Sequence, residues 1–135
     1  MTPHEAPAPW QTLPNAPAIG TVLGQRDALT DGAALLVNLP ASESPAVRGS
    51  FSVLLLRSGE RVSAFANRCA HMGVPLAVRQ EHLIYVPHTS LSCNTHYARF
   101  RWDDGECEQG DCLGQHLWAI ALTVDAQGCI RIADV

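Results

Sequence analysis

From Ile19 onward the chain is built of short apolar runs broken by turn-forming residues. Thr21-Val-Leu23 and Ala34-Leu-Leu-Val37 flank Thr30-Asp-Gly32, and Phe51-Ser-Val-Leu-Leu-Leu56 and Arg61-Val-Ser-Ala-Phe65 flank Ser58-Gly-Glu60. Each pair reads as two strands joined through a turn. Leu83-Ile-Tyr-Val86, Ala98-Arg-Phe-Arg-Trp102 and Leu117-Trp-Ala-Ile-Ala-Leu-Thr-Val124 continue the series, and turns at Asp104-Gly105 and Gln127-Gly128 lead to Ile130-Arg-Ile132. Alternation is clearest from Ala98 to Trp102. A strand there puts Ala98, Phe100 and Trp102 on one face and both arginines on the other. No stretch longer than about ten residues carries a 3.6-residue period, so the pattern predicts an all-β sandwich or barrel. Pro40 to Ser50 reads as a polar loop, and no internal repeat is present.

The first seventeen residues stand apart. Five prolines among them predict an extended or mobile N-terminal arm over 1–17, followed by one domain over 18–135. Trp10 and Leu13 are the apolar side chains able to pin that arm to the domain. A length of 135 residues suits a single core, and 47% hydrophobic against 16% charged residues suits a packed one. The formal charge of −4, without a basic cluster, offers nothing to nucleic acid or an anionic membrane. No stretch reads as a signal peptide or membrane span, so a cytoplasmic setting is expected. Five cysteines are too few, and odd in number, for a secreted disulfide scaffold; metal ligation is the better use for some of them.

Two motifs carry the candidate chemistry: Cys69-Ala-His71-Met-Gly73 and Cys93-Asn-Thr-His96. Each follows a strand-like run, so both are expected on loops at one end of a sheet, with Gly73 free to take a positive φ. Zinc knuckles usually pair like ligands, two cysteines and then a second pair. Here each loop mixes one thiolate with one imidazole. Mixing of this kind fits a two-iron cluster in which one iron takes both thiolates and the other both imidazoles, each loop giving one ligand to each iron.

On these residues the chain resembles the Rieske-type [2Fe-2S] ferredoxins, whose pattern is Cys-x-His, a spacer, then Cys-x-x-His. The resemblance runs from about Phe65 to Leu117. It takes in Asn67-Arg-Cys-Ala-His-Met-Gly-Val-Pro-Leu76, Ser92-Cys-Asn-Thr-His-Tyr-Ala-Arg-Phe100 and Asp104-Gly-Glu-Cys-Glu-Gln-Gly-Asp-Cys-Leu-Gly114. It implies stacked antiparallel sheets with a small cluster-binding lobe, a [2Fe-2S] cofactor on Cys69, His71, Cys93 and His96, and His71 and His96 as the solvent-facing ligands. Several positions depart from the pattern. The spacer between His71 and Cys93 has 21 residues, and Tyr97 stands where a glycine usually follows the second histidine. Rieske proteins of respiratory complexes join their ligand loops by a disulfide at positions held here by Val74 and Thr95, so that bridge cannot form. They also place Ser and Tyr hydroxyls near the cluster where this chain has Ala98 and Phe100. Hydrogen bonds to the cluster sulfurs raise the potential, so a value toward the low end of the Rieske range is expected.

Other residues read more plainly. Cys107 and Cys112, around a Gly110 turn, could bridge, but a cytosolic strand context favours buried thiols; Cys129 reads as a small core residue. His4, His82, His88 and His116 lie outside the ligand spacing, although His88, between the two loops in sequence, is the one positioned to approach the cluster rim. Trp102 and Trp118 read as core. Glu106, Glu108 and Asp111 read as a solvated turn that could face a basic reductase. The expected function is one-electron transfer by a soluble ferredoxin serving an oxygenase or reductase system, with redox proteins as partners and no catalytic residue of its own. No second two-histidine-one-carboxylate site of an oxygenase is recognisable. The rivals are a permanently docked electron-transfer subunit, a zinc-stabilised binding module without redox role, and a cluster sensor, for which the charge pattern shows no DNA-binding surface.

Overall fold

Val53, Leu54, Leu55 and Leu56 are consecutive in sequence, and each is 1% exposed or less in the computed structural model, which describes Trp10, Leu13 and residues 16–40, 50–70, 74–93, 98–110 and 112–133. Neighbours along a strand point to opposite faces, so this strand must have protein on both sides. Leu54 and Leu56 join a buried cluster with Phe65, Leu91, Phe100 and Leu117. Val53 and Leu55 join a second one with Trp10, Ile120, Ile130 and Ile132. One leucine-rich run thereby divides its side chains between two cores, each side chain contributing roughly 1.5–3 kcal/mol on full burial.

In chain order the strands are β1 (Val22–Gln25), β2 (Ala34–Pro40), β3 (Ser50–Ser58), β4 (Arg61–Ala66), β5 (Ile84–Val86), β6 (Ser90–Ser92), β7 (Arg99–Arg101), β8 (Cys107–Gln109), β9 (Ala119–Ile120), β10 (Leu122–Val124) and β11 (Cys129–Ile132). They form three antiparallel sheets, β1-β11-β10, β2-β3-β4-β9 and β5-β6-β7-β8. The described residues contain no α-helix, only short 3-10 turns such as Arg26–Ala28 and Gln80–His82. No helix among them is long and apolar enough to cross a membrane. The all-β expectation of stacked antiparallel sheets therefore holds.

Details differ from the sequence reading in informative ways. β3 and β4 pair across Ser58-Gly-Glu60 as expected, with Ser58 opposite Arg61. β1 does not pair with β2. It pairs with β11, Gln25 opposite Cys129, because the intervening chain turns twice: once in the 3-10 turn Arg26–Ala28, and again where Ala33 N–H donates to Thr30 O at 2.9 Å. The run from Leu117 to Val124 is also not one strand. It breaks at Ala121, β9 pairing with β4 and β10 with β11, and so passes from the central sheet to an outer one. Ala98, Phe100 and Trp102 are buried on one face of β7 and its flanks, as the alternation predicts, with Arg99 and Arg101 on the other. Trp118 is half-buried with the Arg68 guanidinium 5.8 Å from its ring centre. Cys129, expected in the core, is half-exposed. The β10–β11 turn is held by Asp125, whose carboxylate accepts from Cys129 N–H, Gln127 N–H and Arg131. These bonds, that from Cys129 foremost, keep its carboxyl below the ordinary carboxylate range.

Two contacts tie the outer layers to the centre. Trp10 is 1% exposed within the second cluster, with Leu13 packed on the same cluster. On the other side, β2 is an edge strand whose free backbone groups could pair with another chain. The Gln80 side chain occupies that edge: its Oε1 accepts from Leu36 N–H at 2.7 Å and its Nε2 donates to Ala34 O at 2.9 Å. A side-chain amide stands there where a neighbouring strand would. Of the polar loop read over Pro40 to Ser50, Pro40 and Ser50 end β2 and begin β3, and 41–49 lie outside the described residues.

Candidate metal centre

Cys69 follows β4 by three residues and Cys93 follows β6 directly. Both have 0% exposure and both belong to the first buried cluster, which lies between the central sheet and the β5-β6-β7-β8 sheet. Each cysteine opens a loop of six residues closed by the same backbone bond. Cys69 N–H donates to Val74 O at 2.6 Å, and Cys93 N–H donates to Ala98 O at 2.8 Å. Two separate stretches of sequence thus produce matching loops, each with a buried sulfur at its root.

His71, Met72 and Gly73 of the first loop, and Asn94, Thr95, His96 and Tyr97 of the second, lie outside the described residues. The roots of the two loops fit a two-iron, two-sulfide group. The donor set is right for one: two thiolates withdrawn from water in a shared apolar surround, each followed within three positions by an imidazole. A burial this complete also suits metal-bound sulfur better than a reactive thiol, which needs access.

The surroundings of the second loop correct one expectation. Cys107 and Cys112 are joined as a disulfide, their Cα atoms 5.9 Å apart, within the span such a bond needs. The reading of two free thiols rested on compartment and a strand-like context, and neither carries the geometry of the turn. Gly110, at φ +116°, folds the segment back on itself, and Gln115 N–H donates to Cys112 O at 2.8 Å to close it. Gly110 also lies so near the second ligand loop that a Cβ there would stand 3.1 Å from Ala98 Cα. The acidic stretch beside it is partly paired: Arg99 Nε donates to Glu108 at 2.6 Å, and Glu106 lies 3.7 Å from His116. Asp111 lies outside the described residues.

His88 is not near these loops. It sits in the β5–β6 turn, at the opposite end of β6 from Cys93, where its Nδ1 meets Ser58 Oγ at 2.6 Å at the end of β3. Lying between two motifs in sequence places it on the far end of the hairpin that separates them. His82 is exposed in a 3-10 turn, and His4 lies outside the described residues.

One residue with a part in building the site carried no expectation at all. Asn67, 7% exposed, places its side-chain amide against the far side of the first loop. Its Oδ1 accepts from Leu76 N–H at 2.8 Å, and its Nδ2 donates to Ala77 O at 2.7 Å and to Ser52 Oγ at 3.0 Å. An amide beside a ligand motif was visible in the sequence; its partners nine and ten residues on were not.

Comparison with known proteins agrees with this geometry. The Rieske [2Fe-2S] domain family matches residues 24–125. Among solved structures, the ferredoxin of carbazole 1,9a-dioxygenase from Nocardioides aromaticivorans IC177 is similar at 19% identity and a TM-score of 0.62, covering 87% of this chain and all of that one. The terminal oxygenase of carbazole 1,9a-dioxygenase from Novosphingobium sp. KA1 is similar at 21% identity and a TM-score of 0.63, over 85% of this chain and 30% of the oxygenase chain. Comparison with curated protein sequences gave no match. At such identities the solved structures speak for the fold, while the family match spans most of the chain and includes both ligand motifs. The chain is a member of the Rieske [2Fe-2S] domain family, and its cofactor is the two-iron, two-sulfide cluster of that family.

Proposed function

We propose that the protein is a one-electron carrier whose cluster is held by Cys69 and Cys93 on one iron and His71 and His96 on the other. The observation that carries this reading is the pair of matching loops, each rooted at a cysteine of 0% exposure and closed by a backbone bond to the residue five positions on. The bound cluster supplies a site that gains and loses one electron. The chain's own residues do the rest. Cys69 and Cys93 anchor the centre from inside the lobe, and the apolar cluster around them excludes water from the thiolate side. By the family resemblance His71 and His96 are the solvent-facing ligands, and a partner would dock briefly on that side. The protein is then an electron-transfer component and not itself the enzyme that uses the electron.

An oxygenase is the partner class we favour. Several similar solved structures are complexes of the carbazole 1,9a-dioxygenase oxygenase with its ferredoxin. Val78 and Leu113, 67% and 66% exposed, stand on the segments that leave the first loop and pack behind the second. They give a partner apolar contact. Val78→Asp and Leu113→Asp are each expected to slow electron delivery to a Rieske oxygenase about tenfold while leaving the midpoint potential unchanged. Unchanged rates in both variants would move docking elsewhere.

The potential itself follows from what stands near the cysteines. Ala98 and Phe100 are buried in the same cluster as Cys69 and Cys93 and carry no hydroxyl. The midpoint is expected between about −150 mV and zero, the lower part of the Rieske range. Ala98→Ser and Phe100→Tyr should each raise it by up to about 60 mV, the one-electron equivalent of about 1.4 kcal/mol from a hydrogen bond to a charged centre. A wild-type midpoint well above zero, or no rise in either variant, contradicts the account.

The carrier reading as a whole is tested by anaerobic reconstitution followed by iron and acid-labile sulfide analysis. Two irons, two sulfides and a red-brown protein support it. A colourless protein with one zinc would make the chain a metal-stabilised binding module instead.

A further inference from the structure

The two ligand loops close alike at their roots, but they differ one layer further out. The second loop continues on both sides into strands: Ser92 of β6 pairs with Arg99 of β7, so a main-chain ladder holds its entrance and exit together. The first loop has a strand only on its entrance side. β4 ends at Ala66, Asn67 N–H donates to Ser52 O at 2.8 Å to extend that edge, and the exit segment 74–79 belongs to no strand. Among the described residues, the Cys69 N–H to Val74 O bond is the one backbone bond between entrance and exit, and no ladder continues beyond it.

The geometry points to Asn67 as the positioning residue of the first ligand loop, its side-chain amide serving as the missing strand partner. A carboxamide carries the same donor and acceptor as a peptide group. Here Oδ1 accepts from Leu76 N–H at 2.8 Å and from Ala77 N–H at 3.4 Å while Nδ2 donates to Ala77 O at 2.7 Å, so one amide holds consecutive backbone groups of a segment that no strand holds. A further bond, Nδ2 to Ser52 Oγ at 3.0 Å, fixes the amide to β3. The bonds to Leu76 and Ala77 are shielded, since Asn67 is 7% exposed and Leu76 and Ala77 are 0% and 3% exposed. Beyond the Cys69–Val74 bond, the exit segment is thus tied back to Asn67 and β3 through one side chain. Gln80 uses the same chemistry on the edge of β2, with Oε1 and Nε2 on Leu36 N–H and Ala34 O. Two amides therefore bind this lobe to the central sheet where strands do not.

The consequence concerns the cluster, and this inference rests on the ligand set proposed above. Without the amide, the first loop loses its fixed exit and Cys69 and His71 lose their fixed separation from the second loop. Asn67→Ala is expected to release iron to a chelator at least about tenfold faster than wild type and to alter the g values of the reduced protein. Asn67→Asp, which keeps the shape and the acceptor but loses the donors, should fall between the two. Gly59→Ala, in the β3–β4 turn at the other end of the sheet, serves as the control: it strains a residue at φ +63° with nothing within 4 Å of the added Cβ, and it should leave iron release and g values unchanged. Wild-type release and spectra in both Asn67 variants would overturn the proposal, as would equal acceleration in Gly59→Ala. Should neither Asn67 variant fold, hydrogen exchange at the Leu76 amide of the wild-type protein decides: protection as strong as in β4 is expected there, and rapid exchange refutes the clamp. That last measurement holds whether or not the ligand set is right, so the two ideas fail separately.

Discussion

Replacing His96 by Cys lowers the midpoint potential by more than about 100 mV if the cluster still assembles. The span from the low edge of the Rieske range, about −150 mV, to an all-cysteine plant-type cluster, about −400 mV, is roughly 250 mV, and one exchange should cover nearly half of it. The cause is charge. Thiolate carries a negative charge that neutral imidazole lacks, so each such exchange favours the oxidised state. Protein-film voltammetry of the reconstituted variant gives the shift directly. A potential that does not move would mean that His96 is not a ligand, and a rise would contradict the electrostatic argument itself.

The largest stability effect is expected at Gly105, which is not among the proposed ligands. Gly105 sits at φ +76° in the turn after β7, where its N–H donates to Arg101 O and its carbonyl accepts from Leu117 N–H, both at 2.9 Å. A Cβ there would stand 2.7 Å from Phe65 Cε1 and 3.2 Å from Leu117 Cβ. Gly105→Ala therefore combines a left-handed backbone cost of about 1–2 kcal/mol with an overpacking cost of about 1–3 kcal/mol, out of a total stability on the order of 5–15 kcal/mol. Thermal unfolding should begin roughly 10 °C lower, or earlier still. Gly59→Ala, with open space around the added methyl, pays only the backbone part. Equal melting temperatures for the two variants would show that the Phe65–Leu117 contact yields more readily than its packing suggests.

The sequence was most legible where one residue type answered to one physical demand. The buried Val53–Leu56 run, the β3–β4 turn and the alternation from Ala98 to Trp102 were readable because apolar periodicity and turn chemistry both act over a few neighbouring residues. The cysteine roots of the ligand loops were readable for a similar reason: Cys-x-His and Cys-x-x-His are short and chemically unusual. What stayed hidden depended on partners distant in sequence. β1 pairs with β11 across most of the chain, and no local pattern chooses between that strand and β2. β6 and β8 were missed because three-residue strands such as Ser90-Leu-Ser92 and Cys107-Glu-Gln109 carry too few apolar positions to reveal a period. The disulfide was misjudged because its formation turns on how Gly110 folds the chain back. Asn67 and Gln80 illustrate the same limit in a functional setting. Amide side chains look like ordinary polar residues until the fold brings a strand without a neighbour beside them.

The central claim is that two imidazoles and two thiolates meet at one binuclear centre. Pulsed electron paramagnetic resonance on the reduced protein, compared with protein carrying 15N-labelled histidine, tests it most directly. The account predicts strong couplings to two histidine nitrogens, both changed by the label and one lost in His96→Cys. A reduced cluster with no histidine nitrogen coupling would contradict it.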